Sequence, residues 1–248
     1  MGFKETKFYK WLDNYWYHYK WITLIVLLFA TVATIGTVQM FTRQKGDIYV
    51  LYAGPAVVNL QNETYIERAF SKLDEKDYNN DGEIITVLRS LALFSPEEIS
   101  GQTEDEVKEV GVPNEGYTLN EQMIGVQMSN TLQTFNQEIL GGDSVICLLS
   151  PYAYGIVRQA DGFLPLKDAI GYQPPNAYDD CSLLLKDTDF GNLEGLAYLP
   201  DDTLICIRRI SSMSFMKGQK KTEAAYNYQL EKFNLAITYE HIPENSEN

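Results

Sequence analysis

The chain has 248 residues, 34 of them acidic and 20 basic, for a formal net charge of −14 at pH 7. That charge repels phosphate backbones, so nucleic acid is excluded as a partner. Three cysteines, Cys147, Cys181 and Cys206, give an odd count without framework or zinc-finger spacing, so neither a disulfide-stapled scaffold nor a zinc site is expected.

The charge is unevenly spread. Residues 1–45 carry six basic and two acidic side chains, whereas residues 46–248 keep 14 basic against 32 acidic, a balance of −18. The first segment also holds "NYWYHYKW", Asn14 to Trp21, followed by "ITLIVLLFATVATIGTVQMF". From Trp21 to Phe41 there is no charged residue. As a helix those residues would span ~31 Å, the thickness of a bilayer's hydrocarbon core. Threonines inside such a helix can bond back to a preceding carbonyl. Aromatic rings with polar tips settle at headgroup level, so Trp16, Tyr17, Tyr19 and Trp21 are expected to form an interfacial belt. Lys4, Lys7, Lys10 and Lys20 precede the apolar run, which predicts a cytoplasmic N-terminus and an uncleaved signal anchor. The expected layout is an N-terminus with its aromatic belt over 1–20, a transmembrane helix over 21–41, a linker over 42–46, an extracytoplasmic domain over 47–242 and a disordered tail over 243–248.

The domain reads in chain order as alternating strands and helices. "DIYVLYA" (Asp47 to Ala53) is a strand, broken by Gly54–Pro55. "NETYIERAFSKL" is a helix with Asn62 as its N-cap, and "EIITVLRSLAL" is a second, largely buried strand. Strand, helix and strand make a βαβ unit with parallel strands. "SPEE" (Ser95 to Glu98) carries a capping-box pattern, and so does "TLNE" (Thr118 to Glu121). Ile124, Met128, Leu132, Phe135 and Ile139 then form one apolar helix stripe, ending at Gly141–Gly142. Strands are expected at Ser144 to Leu149, at "CSLLL" and at "TLICIRRI", with a short helix after Ser150–Pro151 and a small extended element at "FLPL". The last helix covers about Thr222 to Tyr239, with Tyr226, Leu230, Phe233 and Ile237 on one face. The expected fold is α/β: a single three-layer-like lobe with a mostly parallel sheet, preceded by one transmembrane helix.

Candidate sites follow from chemistry at defined positions. "DYNNDGEII" matches the front of a calcium loop, with Asp77, Asn79, Asp81 and the Glu83 carbonyl as oxygen donors and Gly82 at the sharp turn. Position twelve is Leu88 rather than a bidentate glutamate, and an Asx-rich turn explains the same residues. Any calcium bound there would be weakly held, and no other cofactor is expected. A small ligand would sit at the carboxyl ends of parallel strands, which selects Gly54, Ser150 and Tyr152, although turns and a helix cap account for these as well. "GDS" at Gly142 to Ser144 lacks a histidine partner at useful spacing. Asp179–Asp180 and Asp201–Asp202 read as solvated turns.

The run "GGDSVICLLSPYAYGIVRQADGFLPLKD", with its glycine-aspartate step, apolar strand, short helix and "GFLPL" element, resembles a segment of the extracellular solute-binding proteins of ABC importers, the type II periplasmic-binding fold. "DIYVLYAGP" looks like that fold's first strand. The resemblance implies a one-lobe, membrane-anchored relative, because residues 47–242 hold roughly one lobe where those proteins close two on a ligand. The expected function is that of a non-enzymatic single-pass membrane protein presenting this domain to a membrane or envelope protein. A tethered substrate-binding accessory of an ABC transporter is the alternative, and an extracytoplasmic hydrolase a distant third.

Overall fold

The computed structural model describes residues 7–42, 46–73, 76–101 and 121–240. The chain divides into two compact units, Met1–Lys45 and Gly46–Asn248.

The described residues of the first unit form one helix, α1 (Lys7–Thr42). Its segment Asp13–Ile35 is long and apolar enough to cross a membrane, and none of that window is buried. The Thr31 and Thr34 hydroxyls donate to the carbonyls of Leu27 and Ala30, each at 2.8 Å, so these polar groups are satisfied within the helix. The aromatic stretch belongs to the same helix. Trp11, Tyr15 and Tyr19, four residues apart, stack with ring centroids 5.8 and 5.4 Å apart. Trp16, Tyr17, Tyr19 and Trp21 are all exposed.

The second unit is α/β. It contains strands β1 (Ile48–Gly54), β2 (Thr86–Ala92), β3 (Ile146–Leu149), β4 (Ser182–Leu184) and β5 (Leu204–Ile207). Among the described residues the helices are α2 (Leu60–Ser71), α3 (Pro96–Gly101), α4 (Glu121–Gly141), α5 (Pro151–Gln159), α6 (Leu166–Ile170) and α7 (Gln219–Ile237). The strands form one sheet in the order β2-β1-β3-β5-β4. The β1–α2–β2 unit is present as expected, with β1 parallel to β2 on one side and to β3 on the other.

The expectation of a mostly parallel sheet is corrected: the sheet is mixed, because β5 runs antiparallel to both β3 and β4. The reason lies in residues 185–203. They hold only short 3-10 turns, at Leu185–Asp187, Phe190–Asn192 and Leu196–Tyr198. Without a crossover helix the chain cannot return to the far end of the sheet, so it re-enters from the end where β4 stopped. β2 is also not the largely buried strand expected. It lies at the sheet's edge, with Val87, Arg89 and Ser90 exposed.

Side chains of β1 alternate between two apolar clusters, as a pleated strand requires. Ile48, Val50 and Tyr52 pack with Ile66 and Phe70 of α2 and Tyr226 and Phe233 of α7. Leu51 and Ala53 pack with Phe135 of α4 and Ala153 and Val157 of α5. The expected stripes on α4 and α7 therefore supply core: Met128, Leu132 and Ile139 flank buried Phe135, and Leu230 and Ile237 flank Tyr226 and Phe233.

The helix ends follow local chemistry. The Ser95–Glu98 capping box closes in both directions: the Ser95 amide donates to Glu98 Oε2 at 2.6 Å and the Glu98 amide to Ser95 Oγ at 3.1 Å. The second proposed box, Thr118 to Glu121, lies mostly outside the described residues. For α2 the cap is Asn59, not Asn62; the Asn62 amide donates to Asn59 Oδ1 at 2.9 Å. Helix α4 ends at Gly141, and a Cβ at Gly142 would lie 2.6 Å from the Glu138 carbonyl oxygen, so only glycine fits.

Beyond that end sits Arg208, only 3% exposed. Its guanidinium donates to the carbonyls of Ser144 (3.1 Å), Gly142 (2.9 Å) and Ile139. The Tyr226 hydroxyl in turn donates to the Arg208 carbonyl at 2.9 Å. Arg208→Met would leave three partly desolvated carbonyls without donors at similar side-chain volume. We expect a loss of ~3 kcal/mol or more in urea unfolding, with an unchanged m-value.

Candidate functional site

The chain leaves β1 toward β2 on one side, and β3 pairs on the other, so the order of strands reverses between β1 and β3. In open α/β sheets the crevice outside the carboxyl ends at such a switch point is where ligands bind. Gly54 and Ser150 meet here, the Ser150 amide donating to the Ala53 carbonyl at 2.9 Å.

Both residues have structural duties. Ser150 is the N-cap of α5, its Oγ accepting from the Ala153 amide at 3.3 Å. Gly54 is required by close approach: a Cβ there would lie 2.7 Å from the Tyr52 hydroxyl. That hydroxyl accepts from the Ala56 amide at 3.1 Å and orders the turn after β1. Burial pushes the Tyr52 pKa up to about 12, with a smaller upward push from the nearby Asp202 and Glu98 charges. Tyr152 is half-buried against the cluster that contains Leu149 and Ala153. The three residues selected from sequence thus gather at one edge, with the Glu98 and Asp202 carboxylates near the Tyr52 hydroxyl. Tyr52 reads in the sequence as an ordinary inward strand residue, and nothing there marks its hydroxyl.

A second polar constellation was hidden in "DD". Asp179 is no solvated turn. It accepts from the Tyr154 hydroxyl at 2.6 and 2.8 Å, the Ser182 hydroxyl at 2.8 Å and the Cys181 amide at 2.9 Å. Arg158, four residues beyond Tyr154 on α5, lies 3.6 Å from Asp179 and 2.6 Å from Asp180. Tyr154 is stacked on Phe163 with ring centroids 4.8 Å apart. Burial pushes the Asp179 carboxyl upward, but the hydrogen bonds from Tyr154, Cys181 and Ser182, with the Arg158 charge, outweigh it and the net shift is downward. The Tyr154 hydroxyl is raised, by burial first and by its bond to Asp179 second, and stays a proton donor at neutral pH. The network staples the segment before β4 to α5. The signal available in sequence was the i, i+4 spacing of Tyr154 and Arg158, which puts both on one helix face.

The "DYNNDGE" stretch is a chain of Asx turns. Asp77 accepts from the amides of Asn80 (2.7 Å) and Gly82 (2.8 Å), Asn79 from Asp81 (2.9 Å), and Asp81 from Glu83 (3.1 Å). Asn80 and Gly82 adopt positive φ, 56° and 92°. Buried Asp47 ties the loop down, accepting from Asn79 (3.1 Å) and Ile85 (2.9 Å). Among the described residues no group of three or more His, Cys, Asp or Glu is arranged to hold a metal ion.

Other chemistry is equally committed. Ser144 of "GDS" is buried and donates to Glu138 at 3.0 Å. His241 lies outside the described residues. All three cysteines are buried and unbridged. Burial pushes the Cys181 thiol up to about 11 and raises Cys206 well above its usual range, away from the reactive thiolate form. A shallow cleft of about 230 Å³ lies between α2 and the turn at 193–194, lined by Tyr65, Arg68, Lys72 and Tyr239. It is smaller than the ~300–1,000 Å³ usual for ligand pockets.

In comparisons with known proteins, no protein-family model, no curated protein and no solved structure matches this chain.

Two outcomes test these assignments. Asp179 has its pKa depressed on folding, so its stabilisation is fully present above the unfolded-state value of ~3.9 and is lost as pH falls through the folded value. Asp179→Asn is expected to lower stability by about 2 kcal/mol at pH 7, with the thermal-melting curves of variant and parent converging below pH 4. For the Asx loop, Asp77→Ala removes two amide acceptors and is expected to cost about 1–2 kcal/mol. Millimolar calcium should leave the parent's melting temperature where it was. A calcium-dependent rise that disappears in Asp77→Ala and Asp81→Ala would instead make the loop a weak ion site.

Proposed function

We propose that this chain is a non-enzymatic single-pass membrane protein. In this reading α1 is a signal anchor with a cytoplasmic N-terminus. The acidic domain over 47–242 is an extracytoplasmic, three-layer-like lobe offered to a membrane or envelope protein. The observation that carries the reading is the Asp13–Ile35 segment: apolar, helical and with none of its window buried. Such a surface is stable in lipid and not in water. The exposed rings of Trp16, Tyr17, Tyr19 and Trp21 suit a headgroup layer. The polar side chains gathered at the switch point and around Asp179 are engaged in caps, turns and staples, which supports contact rather than catalysis as the domain's role.

One observation favours a second reading. Gly54 and Ser150 adjoin at the switch point between β1 and β3. A tethered substrate-binding accessory of a transporter, the role implied by the resemblance to solute-binding lobes, would use that crevice.

The test is topological. In protoplasts expressing the chain with an N-terminal epitope, external protease is expected to remove the acidic domain and leave an epitope-bearing fragment. That fragment should resist extraction at alkaline pH. A fully protected domain would reverse the orientation, and extraction of the whole chain by alkali would end the membrane assignment.

A further inference from the structure

The acidic domain contains one inverted stretch. Of the 14 basic residues in 46–248, five lie within 208–221: Arg208, Arg209, Lys217, Lys220 and Lys221, with no acidic residue among them. Arg208 is spent inside the fold, and Arg209 is paired with Asp161 at 3.5 Å. Lys220 and Lys221 are exposed at the start of α7. Between the arginines and the lysines, the 3-10 turn Ser212–Lys217 presents Met213 (54% exposed) and Phe215 (37% exposed) to solvent. Exposed apolar side chains flanked by lysines are the pattern of a surface that inserts shallowly among anionic headgroups.

Its place in the fold gives this stretch a purpose. β5 ends at Ile207, opposite Ile146, the first residue of β3. That end of the sheet is also where β1 begins, at Ile48, two residues into the domain. The turn therefore lies at the edge by which the chain enters the domain. Exposed Leu140, in the last turn of α4, belongs to the same edge. The acidic Asp77–Glu83 loop precedes β2, three strands away from β5 in the sheet.

We infer that Met213, Phe215, Lys220 and Lys221 form a peripheral docking surface for an anionic lipid bilayer. It holds the domain against the membrane that carries its anchor. The inference rests on the membrane-anchor reading above and adds a second, reversible contact to it. Its chemistry is shallow burial of two apolar side chains plus attraction of two ammonium groups to lipid phosphates. Repulsion of the remaining acidic surface from the same phosphates opposes any other orientation.

The experiment uses the full chain in phosphatidylcholine vesicles made with or without phosphatidylglycerol. A fluorophore is placed on Met213→Cys and, as a control at the far edge, on Val57→Cys; the native cysteines are buried and do not compete. Spin-labelled lipid is expected to quench the label at 213 in anionic vesicles and to spare the label at 57. Quenching at 213 should fall to the control level at high salt, in neutral vesicles, and in Lys220→Glu/Lys221→Glu. Equal quenching at both positions, or quenching at 213 indifferent to lipid charge and charge reversal, would overturn the docking surface. Flotation after an alkaline wash separates the two claims. A chain that floats without quenching at 213 loses only the docking surface, and a chain that does not float loses the anchor as well.

Discussion

A guanidinium taken out of water must find oxygen for its donors, and the way Arg208 does so organises half of the domain. Its partners are carbonyls of Ile139, Gly142 and Ser144, the end of α4 and the approach to β3. Those oxygens lie at the negative end of a helix dipole, which offsets part of the cost of burying the cation. Because Arg208 directly follows β5, the contact fixes where α4 stops, where β3 starts and where β5 finishes. Tyr226 extends it to α7 through the Arg208 carbonyl. Glu138 adds a neighbouring tie, accepting from Ser144 and pairing with Arg89 of β2 at 3.3 Å. Helices α4 and α7 are thereby both referred to one edge of the sheet.

Much of this architecture was legible because local signals agreed with the fold. The β1–α2–β2 unit, the capping box at Ser95, the stripe on α4 and the face of α7 all follow from periodicity and punctuation. What failed were the features that depend on distant parts of the chain. The direction of β5 is set by the lack of a crossover helix in residues 185–203, and "TLICIRRI" reads alike in either direction. The exposure of β2 follows from its place at the edge, not from its own residues. Asn59 and Asn62 are both competent caps, and the choice between them belongs to the turn that Tyr52 orders after β1.

The candidate site divides in the same way. Gly54, Ser150 and Tyr152 were selected by a rule about strand ends, and the fold brings them to one edge at the switch point. Asp179 does not stand out in the sequence, because adjacent aspartates in an acidic chain are usually solvated. Its role depends on Tyr154 and Ser182, 25 residues before it and three after it, which converge only once β4 joins the sheet. Asp47 is similar. It opens "DIYVLYA" in sequence, yet works as the acceptor that holds the loop before β2.

The cysteines carry a consequence of another kind. Cys147 and Cys206 are directly opposed across β3 and β5, and Cys181 immediately precedes β4, all three sealed in the core. Sealed thiols are chemically silent only while the sheet stays closed. In an oxidising compartment any opening of the β3–β5–β4 side exposes three of them, an odd number, so one is always left to react with another molecule. Unfolding in such a compartment would then lead to covalent cross-linking that cooling does not reverse. The lifetime of the folded state, set by the barrier to opening that part of the sheet, would matter more to this domain than its equilibrium stability.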